Sequence, residues 1–241
     1  MGQIKQKIKK IFFENCPTYI ANELLNYKYQ YFSNISFSQV GEDMVLSRFF
    51  EKKLTGFYVD IGAHHPIRFS NTYKFYLQGW RGINVDAMPG SMIPFQQIRP
   101  LDINLEFAIS GSSQNLTYYI FNEPALNTFS KEEADKKNGL RQYRIIDTRV
   151  IKTKTLKEVL DSYLPVGMTI DFMSIDVEGL DFAVLKSNDW NKYKPSIVIV
   201  ESLEGNLDEI DKNEIYLFLK EKGYEVVVKI YDSMFFKLKN D

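Results

Sequence analysis

The sequence predicts an α/β fold, a mostly parallel sheet covered by helices on both faces, with an antiparallel edge near the C-terminus. Three observations predict it. Short apolar runs of strand type alternate with stretches of helical period, the pattern of strand–helix–strand units. Two of the runs, FYVDIG (57–62) and SIVIVES (196–202), are apolar almost throughout, as strands covered on both faces are. The chain then closes with YEVVVKIYDSMFFKL, which reads as two strands around Asp232-Ser233.

A helical lead-in runs to about residue 30, and SQVGEDMVLSRFFEK follows as a second helix with Val40, Met44, Val45, Phe49 and Phe50 near one face. After the FYVDIG strand, SNTYKFYLQGW is helical up to a stop at Gly79. GINVDA is a strand, PGSMIPFQQIRP is a helix with a proline at each end, LEFAIS is a strand, and LTYYIFN is a strand of period two. Residues 122–153 are polar and read as irregular, and a connection this long is expected to be a lid or an acceptor-binding insertion. Alternation then resumes with helical TLKEVLDSYL, the strand and turn IDFMSIDVEG, helical LDFAVLKSNDW, the SIVIVES strand, and one helix over DEIDKNEIYLFLKEKG that ends at Gly223. This divides the chain into a lead-in over residues 1–35 and a single domain over 36–241 that carries the 122–153 insertion.

With 241 residues the chain buries roughly 70–75% of its unfolded surface and needs no disulfide or metal to fold. A net charge of −1 gives no overall electrostatic case for nucleic acid or a membrane surface. The lone Cys16 cannot pair within the chain, which suits a reducing cytoplasm, and cytoplasmic localisation is expected. The basic start MGQIKQKIKKIFFENCP lacks the uninterrupted apolar core of a signal peptide, and nowhere is there an apolar run long enough to span a bilayer. Its Lys5, Lys7, Lys9 and Lys10 alternate with Ile4, Ile8, Ile11 and Phe12, so this helix is expected to pack on the protein or on another subunit, giving a homo-oligomer through the N-terminal helices.

The chemistry starts at FYVDIGAHHP (57–66). A strand that runs into a loop and then a helix is where dinucleotide enzymes place a glycine-rich turn, because glycines let backbone amides approach a diphosphate. This turn has one glycine, Gly62, and both histidines of the chain, His64 and His65. That counts against NAD and FAD and points to S-adenosylmethionine (SAM), which carries no phosphate. Asp60 at the strand end would provide negative charge near the SAM ammonium. Asp86, 24 residues beyond Gly62 (86 − 62), lies at the spacing from which an acid chelates ribose hydroxyls. Strand-end carboxylates also serve as solvated groups or helix caps, but their ordered occurrence on successive strands favours a ligand.

Four separated blocks, SFSQVGEDMVL, GFYVDIGAHHPIRFSNTY, GWRGINVDAMP and FMSIDVEGLDFAVLKS, resemble in order the FkbM family of SAM-dependent methyltransferases, over about residues 36–238. The resemblance implies a class I methyltransferase fold, Rossmann-like, with a mostly parallel seven-stranded sheet and an antiparallel final strand. It also implies methyl transfer to a hydroxyl, often on sugars or polyketide-type products. Carried over by position, it assigns Asp60, Gly62 and Ala63 to the cofactor turn and Asn71 and Thr72 to the S-N-T that follows. Asp86 becomes the ribose acid, Ala108 with Ile109 the adenine wall, and Asp176 and Glu178 the I-D-V-E-G motif. His65 matches the family histidine, while His64 stands where relatives commonly carry asparagine.

An alcohol is a weak nucleophile, so a base has to take its proton as the methyl is transferred. Groups at carboxyl ends of the strands are His65, Asp176, Glu178 and Glu201, and the base is one of these. His65 has a suitable proton affinity, and Asp176 and Glu178 are the other catalytic candidates, with Asp176 also expected to bind the cofactor by pointing toward its sulfonium region. Asp176 and Glu201 end neighbouring strands and could share a divalent cation, although two carboxylates make a thin site and no metal is assigned. The reading is a sugar O-methyltransferase acting on a nucleotide sugar or glycan intermediate of surface polysaccharide synthesis. The 122–153 insertion, with Tyr118, Tyr119, Phe121 and Phe129 nearby, is expected to select the acceptor. The rivals are a nucleotide-sugar glycosyltransferase, because IDVEG is similar to a D-x-D metal motif, and a catalytically silent SAM-binding module.

Overall fold

The computed structural model describes residues 34–202 and 207–239, with the side chains of 207–209 outside the description. The chain forms two units, Met1–Ser36 and Phe37–Asp241. All but the last residues of the expected lead-in, together with Cys16 and the expected oligomer surface, lie outside the described residues.

The second unit starts with α1 (Glu42–Phe49), whose first turn is fixed by Asp43: its carboxylate accepts hydrogen bonds from Phe37 N (2.8 Å) and Ser38 Oγ (3.0 Å). Strand and helix then alternate through β1 (Phe57–Ile61), α2 (Tyr73–Leu77), β2 (Arg81–Asp86), α3 (Met92–Ile98) and β3 (Ile103–Glu106). Next come β4 (Ala108–Ile109), β5 (Asn115–Phe121), α4 (Lys131–Lys137), β6 (Ile145–Lys154), α5 (Leu156–Tyr163), β7 (Phe172–Ile175) and α6 (Asp181–Lys186). The chain ends with β8 (Ile197–Glu201), α7 (Glu214–Glu221), β9 (Tyr224–Ile230) and β10 (Ser233–Leu238).

Seven strands form one sheet in the order β3-β2-β1-β7-β8-β10-β9. All neighbours from β3 to β8 are parallel, and β10 runs antiparallel to both β8 and β9. This is the predicted Rossmann-like sheet with an antiparallel final strand. Every residue of β1 is buried because β1 is covered on both faces. Val59 and Ile61 join Val85, Ile175, Val200 and residues of α5 to α7 on one side. On the other, Tyr58 joins Phe75, Trp80, Phe172 and Leu46 of α1. Each such buried side chain contributes roughly 1.5–3 kcal/mol.

Three elements differ from the sequence expectation. LEFAIS divides at Phe107: β3 edges the large sheet, while β4 leaves it to pair with β6 (Ala108↔Thr153). Residues 122–153 are ordered. They hold a 3₁₀ turn at Pro124–Leu126, helix α4, and most of β6, which pairs antiparallel along the whole of β5. β6 escaped detection because it is exposed along most of its length and therefore shows no apolar period. The helix expected over 208–223 is two pieces, a 3₁₀ stretch at Leu207–Lys212 and α7, because Asn213 caps α7 by accepting from Tyr216 N at 3.0 Å.

Candidate functional site

The carboxyl ends of β1, β2 and β7 are tied together around Gly62. Its N–H and that of Ala63 donate to Val85 O of β2 (2.9 and 3.0 Å), and Asp176 N donates to Ile61 O (2.9 Å). Gly62 has φ 83°, and a Cβ there would lie 1.7 Å from the backbone oxygen of Asp176. The glycine is therefore needed for contact between strands. Beyond it, His64 adopts φ 52°, and its N–H donates to Asp86 Oδ2 at 2.9 Å, while Met88 N donates to Oδ1 at 2.8 Å. Burial raises the Asp86 pKa, and these two amides partly offset the rise. His65 turns inward: Nδ1 accepts from Ile67 N (3.1 Å) and Arg68 N (3.0 Å). Amides only donate, so Nδ1 is bare and the proton of the neutral ring sits on Nε2. Burial, then Arg68, lowers the His65 pKa and keeps the ring neutral.

Beneath the turn lies a polar network that sequence reading missed. Arg99, at the end of α3, is 0% exposed. Its guanidinium donates to Asp102 Oδ2 (3.0 Å), the Tyr58 hydroxyl (2.8 Å) and Thr72 Oγ1 (2.9 Å). Thr72 Oγ1 donates to Asp60 Oδ2 at 2.7 Å, and Asp102 also accepts from Tyr58 OH, Gly82 N and Asn84 Nδ2. Nothing in IRPLD marks its arginine as buried, since a cation at a helix C-terminus ordinarily complements the dipole in solvent. Asp60, 5% exposed, is pushed up to about 6 by burial, against the opposing pull of Thr72 and Arg99.

On the other side of Gly62 the IDVEG turn assembles carboxylates. Asp181 closes the turn that leads into α6, accepting from Val177 N and Gly179 N at 3.1 Å each, while the helix itself has no side-chain cap. That leaves Asp176 free, and among the described residues no donor reaches its carboxylate. The Asp176 side chain is exposed to the open cavity. The protein packed around it, then Glu178, Asp181 and Asp60, raise its pKa, and solvent in the open cavity screens part of that rise. Glu178, at φ 53°, ion-pairs with Lys137 of α4, and its carbonyl accepts from Thr128 Oγ1 at 2.6 Å. Among the described residues Glu201 Oε2 is buried without a partner, and burial with the adjacent Asp176 and Glu178 pushes its pKa up to about 10. One carboxylate oxygen from each of Asp176, Glu178 and Glu201 lies within 4.8 Å of the others, a set that could hold a cation.

These elements surround a cavity of about 460 Å³. Of the residues expected from sequence, Gly62, His65, Asn71, Asp86, Asp176 and Glu178 line it, as does Glu201. Asp60, Ala63, Thr72 and Ala108 do not. Asp60 and Thr72 belong to the network below, while Ala63 and Ala108 are buried, the latter beside the lining residue Ile109. Asn71 Nδ2 donates to Ser174 Oγ (3.0 Å), so two lining residues brace each other across β7. No pattern in the sequence marked Glu42, Tyr231 or Asp232, which reach the cavity from α1 and from the β9–β10 turn. The methyltransferase FkbM domain model matches residues 60–226, from the Asp60 strand end into β9.

The chain belongs to the FkbM methyltransferase family. The match covers both sides of the Gly62 junction and the IDVEG turn, and membership makes the chain a methyltransferase rather than a glycosyltransferase. No curated protein matches the chain. No helix among the described residues is long and apolar enough to cross a membrane.

Proposed function

We propose that the protein is a SAM-dependent O-methyltransferase whose acceptor is a sugar hydroxyl, in a glycan or a nucleotide-activated precursor. The observation that carries the proposal is the charge of the cavity. Glu42, Asp86, Asp176, Glu178, Asp232 and Glu201 line it, the last protonated at neutral pH, against the single guanidinium of Arg68, itself paired with Glu123. Such a lining attracts a cation and opposes a diphosphate. When bound, SAM supplies an electrophilic methyl group on a positively charged sulfur. The residues present fit it. Each Asp86 oxygen uses one lone pair on a backbone amide and keeps another for a ribose hydroxyl. Phe107 and Ile109 offer an apolar wall for a base. Asp60 and Thr72 act from below by fixing the turn.

Asp176 is the proposed general base. It has no donor to satisfy, and its raised pKa strengthens its pull on a hydroxyl proton. The bare Nδ1 of His65 is already engaged by two amides, which assigns His65 to holding the turn. Glu178, anchored by Lys137, orients the acceptor. The acidic lining keeps a nucleotide's diphosphate out of the cavity, so such an acceptor would insert its sugar and leave the diphosphate near Arg68 at the exposed end. The family resemblance supports a sugar acceptor, and placement of the 122–153 segment against Glu178 supports its part in acceptor choice.

The test combines calorimetric titration with SAM and transfer of labelled methyl groups to a panel of nucleotide sugars and glycosides. Asp86→Ala should weaken SAM binding by roughly 10–100-fold, the worth of one or two charged hydrogen bonds. Asp176→Asn should bind SAM normally and transfer at least 100-fold more slowly. Failure of the wild type to bind SAM would overturn the donor, and unimpaired transfer by Asp176→Asn would overturn the base. Tight binding with no transfer to any acceptor would favour a silent module.

A further inference from the structure

Among the described residues, the non-glycine positions with positive φ are His64, Phe69, Arg141, Glu178 and Tyr231, and all but Arg141 line the cavity. Left-handed backbone is costly for a bulky L-residue, and it persists where function requires it. His64 and Glu178 have evident returns in the bonds to Asp86 and Lys137. Phe69 and Tyr231 have none of that kind.

Tyr231 is 80% exposed at the tip of the β9–β10 hairpin, with φ 50°. Ser233 pairs with Ile230, so the turn has two residues, and only the first has positive φ. That is the position hairpins normally give to glycine. Among the described residues no ring or cation packs on Tyr231, so its side chain gains neither burial nor a bond in return for the strain. Phe69, φ 59° and 40% exposed, is backed by the Arg68 guanidinium 4.2 Å from its centroid and by the near-parallel His64 ring at 6.2 Å.

We propose that Tyr231 and Phe69 form the acceptor's recognition surface: aromatic plates at the cavity that take the C–H face of a sugar ring. The inference rests on the methyltransferase reading and names the feature of the acceptor that the site selects. A sugar ring presents apolar C–H faces and a rim of hydroxyl donors. Exposed rings match the faces, and exposed carboxylates such as Asp176 and Asp232 on the same lining accept from the rim. A flat apolar acceptor would use the rings and leave those carboxylates desolvated, at a cost.

The experiment is saturation-transfer NMR with a set of methyl glycosides on the full chain saturated with S-adenosylhomocysteine, beside calorimetry with SAM. The proposal expects saturation of ring C–H protons by the wild type and at least a fivefold loss in Tyr231→Gly and in Phe69→Gly. Tyr231→Phe, which keeps the ring, should recover most of the signal. SAM affinity should stay within twofold in all variants, and the glycine variants should melt no lower than the wild type, because glycine accepts the left-handed backbone. Unchanged saturation in both glycine variants would overturn the proposal. So would a wild type that binds SAM and saturates no glycoside. A wild type that binds no SAM would instead remove the methyltransferase reading, and this inference with it.

Discussion

Replacing Gly62 by alanine tests whether the glycine serves the contact between β1 and β7 or merely the turn. The added Cβ would lie 1.7 Å from Asp176 O, where real Cβ contacts essentially never fall below 3.0 Å, so at least 1.3 Å (3.0 − 1.7) has to open. The obstacle is the backbone at the end of a central strand and cannot swing aside as a side-chain tip does. Left-handed φ for alanine costs about 1–2 kcal/mol, and overpacking that moves backbone costs roughly 1–3 kcal/mol, giving about 2–5 kcal/mol in all. Gly79 is the control. It has φ 95° with nothing within 4 Å of where an alanine methyl would sit, so Gly79→Ala should lose only the backbone share, about 1–2 kcal/mol. Urea unfolding of both variants reads the difference. The displaced strand end carries Asp176, so Gly62→Ala should also slow methyl transfer on the order of 100-fold, the usual effect of a misplacement near 1 Å. Equal destabilisation by the two alanines, with normal SAM binding, would refute the reasoning.

The buried network gives a second prediction. Arg99→Met removes the cation and leaves Asp102 buried, which should cost about 3–5 kcal/mol, whereas Arg99→Met with Asp102→Leu should recover part of the loss in urea unfolding. Asp60 gives a pH prediction. Its folded pKa of about 6 lies above its ordinary value of 3.8, so its contribution is full below pH 4 and is lost as pH rises through 6. Asp60→Asn does not ionise, so its stability relative to the wild type should improve by about 3 kcal/mol between pH 4 and 7, read from urea titrations, and a flat difference would contradict the assigned burial. For Asp176, transfer should fall as pH drops through a pKa raised above the carboxylate range, with the acid limb of kcat/KM abolished in Asp176→Asn. Lys137→Met should raise the acceptor KM and leave SAM affinity unchanged, because Lys137 anchors Glu178 by an ion pair and does not itself line the cavity.

Legibility in the sequence followed burial. FYVDIG and SIVIVES are buried along their length and announce themselves, and the Gly62-to-Asp86 spacing found the two strand ends that the fold does bring to one cavity. β6 is exposed along most of its length and so carries no apolar period to read. Local signals also failed where a residue's partner is remote. Asp60 and Asp86 look alike as strand-end acids. The fold separates them, Asp86 opening on the cavity and Asp60 beneath it, through an arginine 39 positions away (99 − 60) that no local pattern ties to either. His65 shows the same limit. Its identity was evident, but the nitrogen that matters is committed by Ile67 and Arg68 amides, a fact of backbone conformation.

Those contacts also explain how a ligand turn works with a single glycine. Glycine-rich turns bind phosphate by exposing amides. Here the amides of Gly62, Ala63 and His64 are consumed by Val85 O and Asp86, and those of Ile67 and Arg68 by His65 Nδ1. With its donors spent internally, the turn offers a ligand chiefly acceptors and the carboxylates around them. On the proposed reading, that inversion disfavours a diphosphate at this turn and favours a ligand rich in hydroxyl and ammonium donors. Donor and acceptor specificity then have one physical origin, and a variant that frees the amides, such as Asp86→Ala, should gain affinity for pyrophosphate as it loses affinity for SAM. Calorimetry with both ligands on that one variant measures the exchange, and loss of SAM binding with no gain for pyrophosphate would show that the spent amides are not what excludes phosphate.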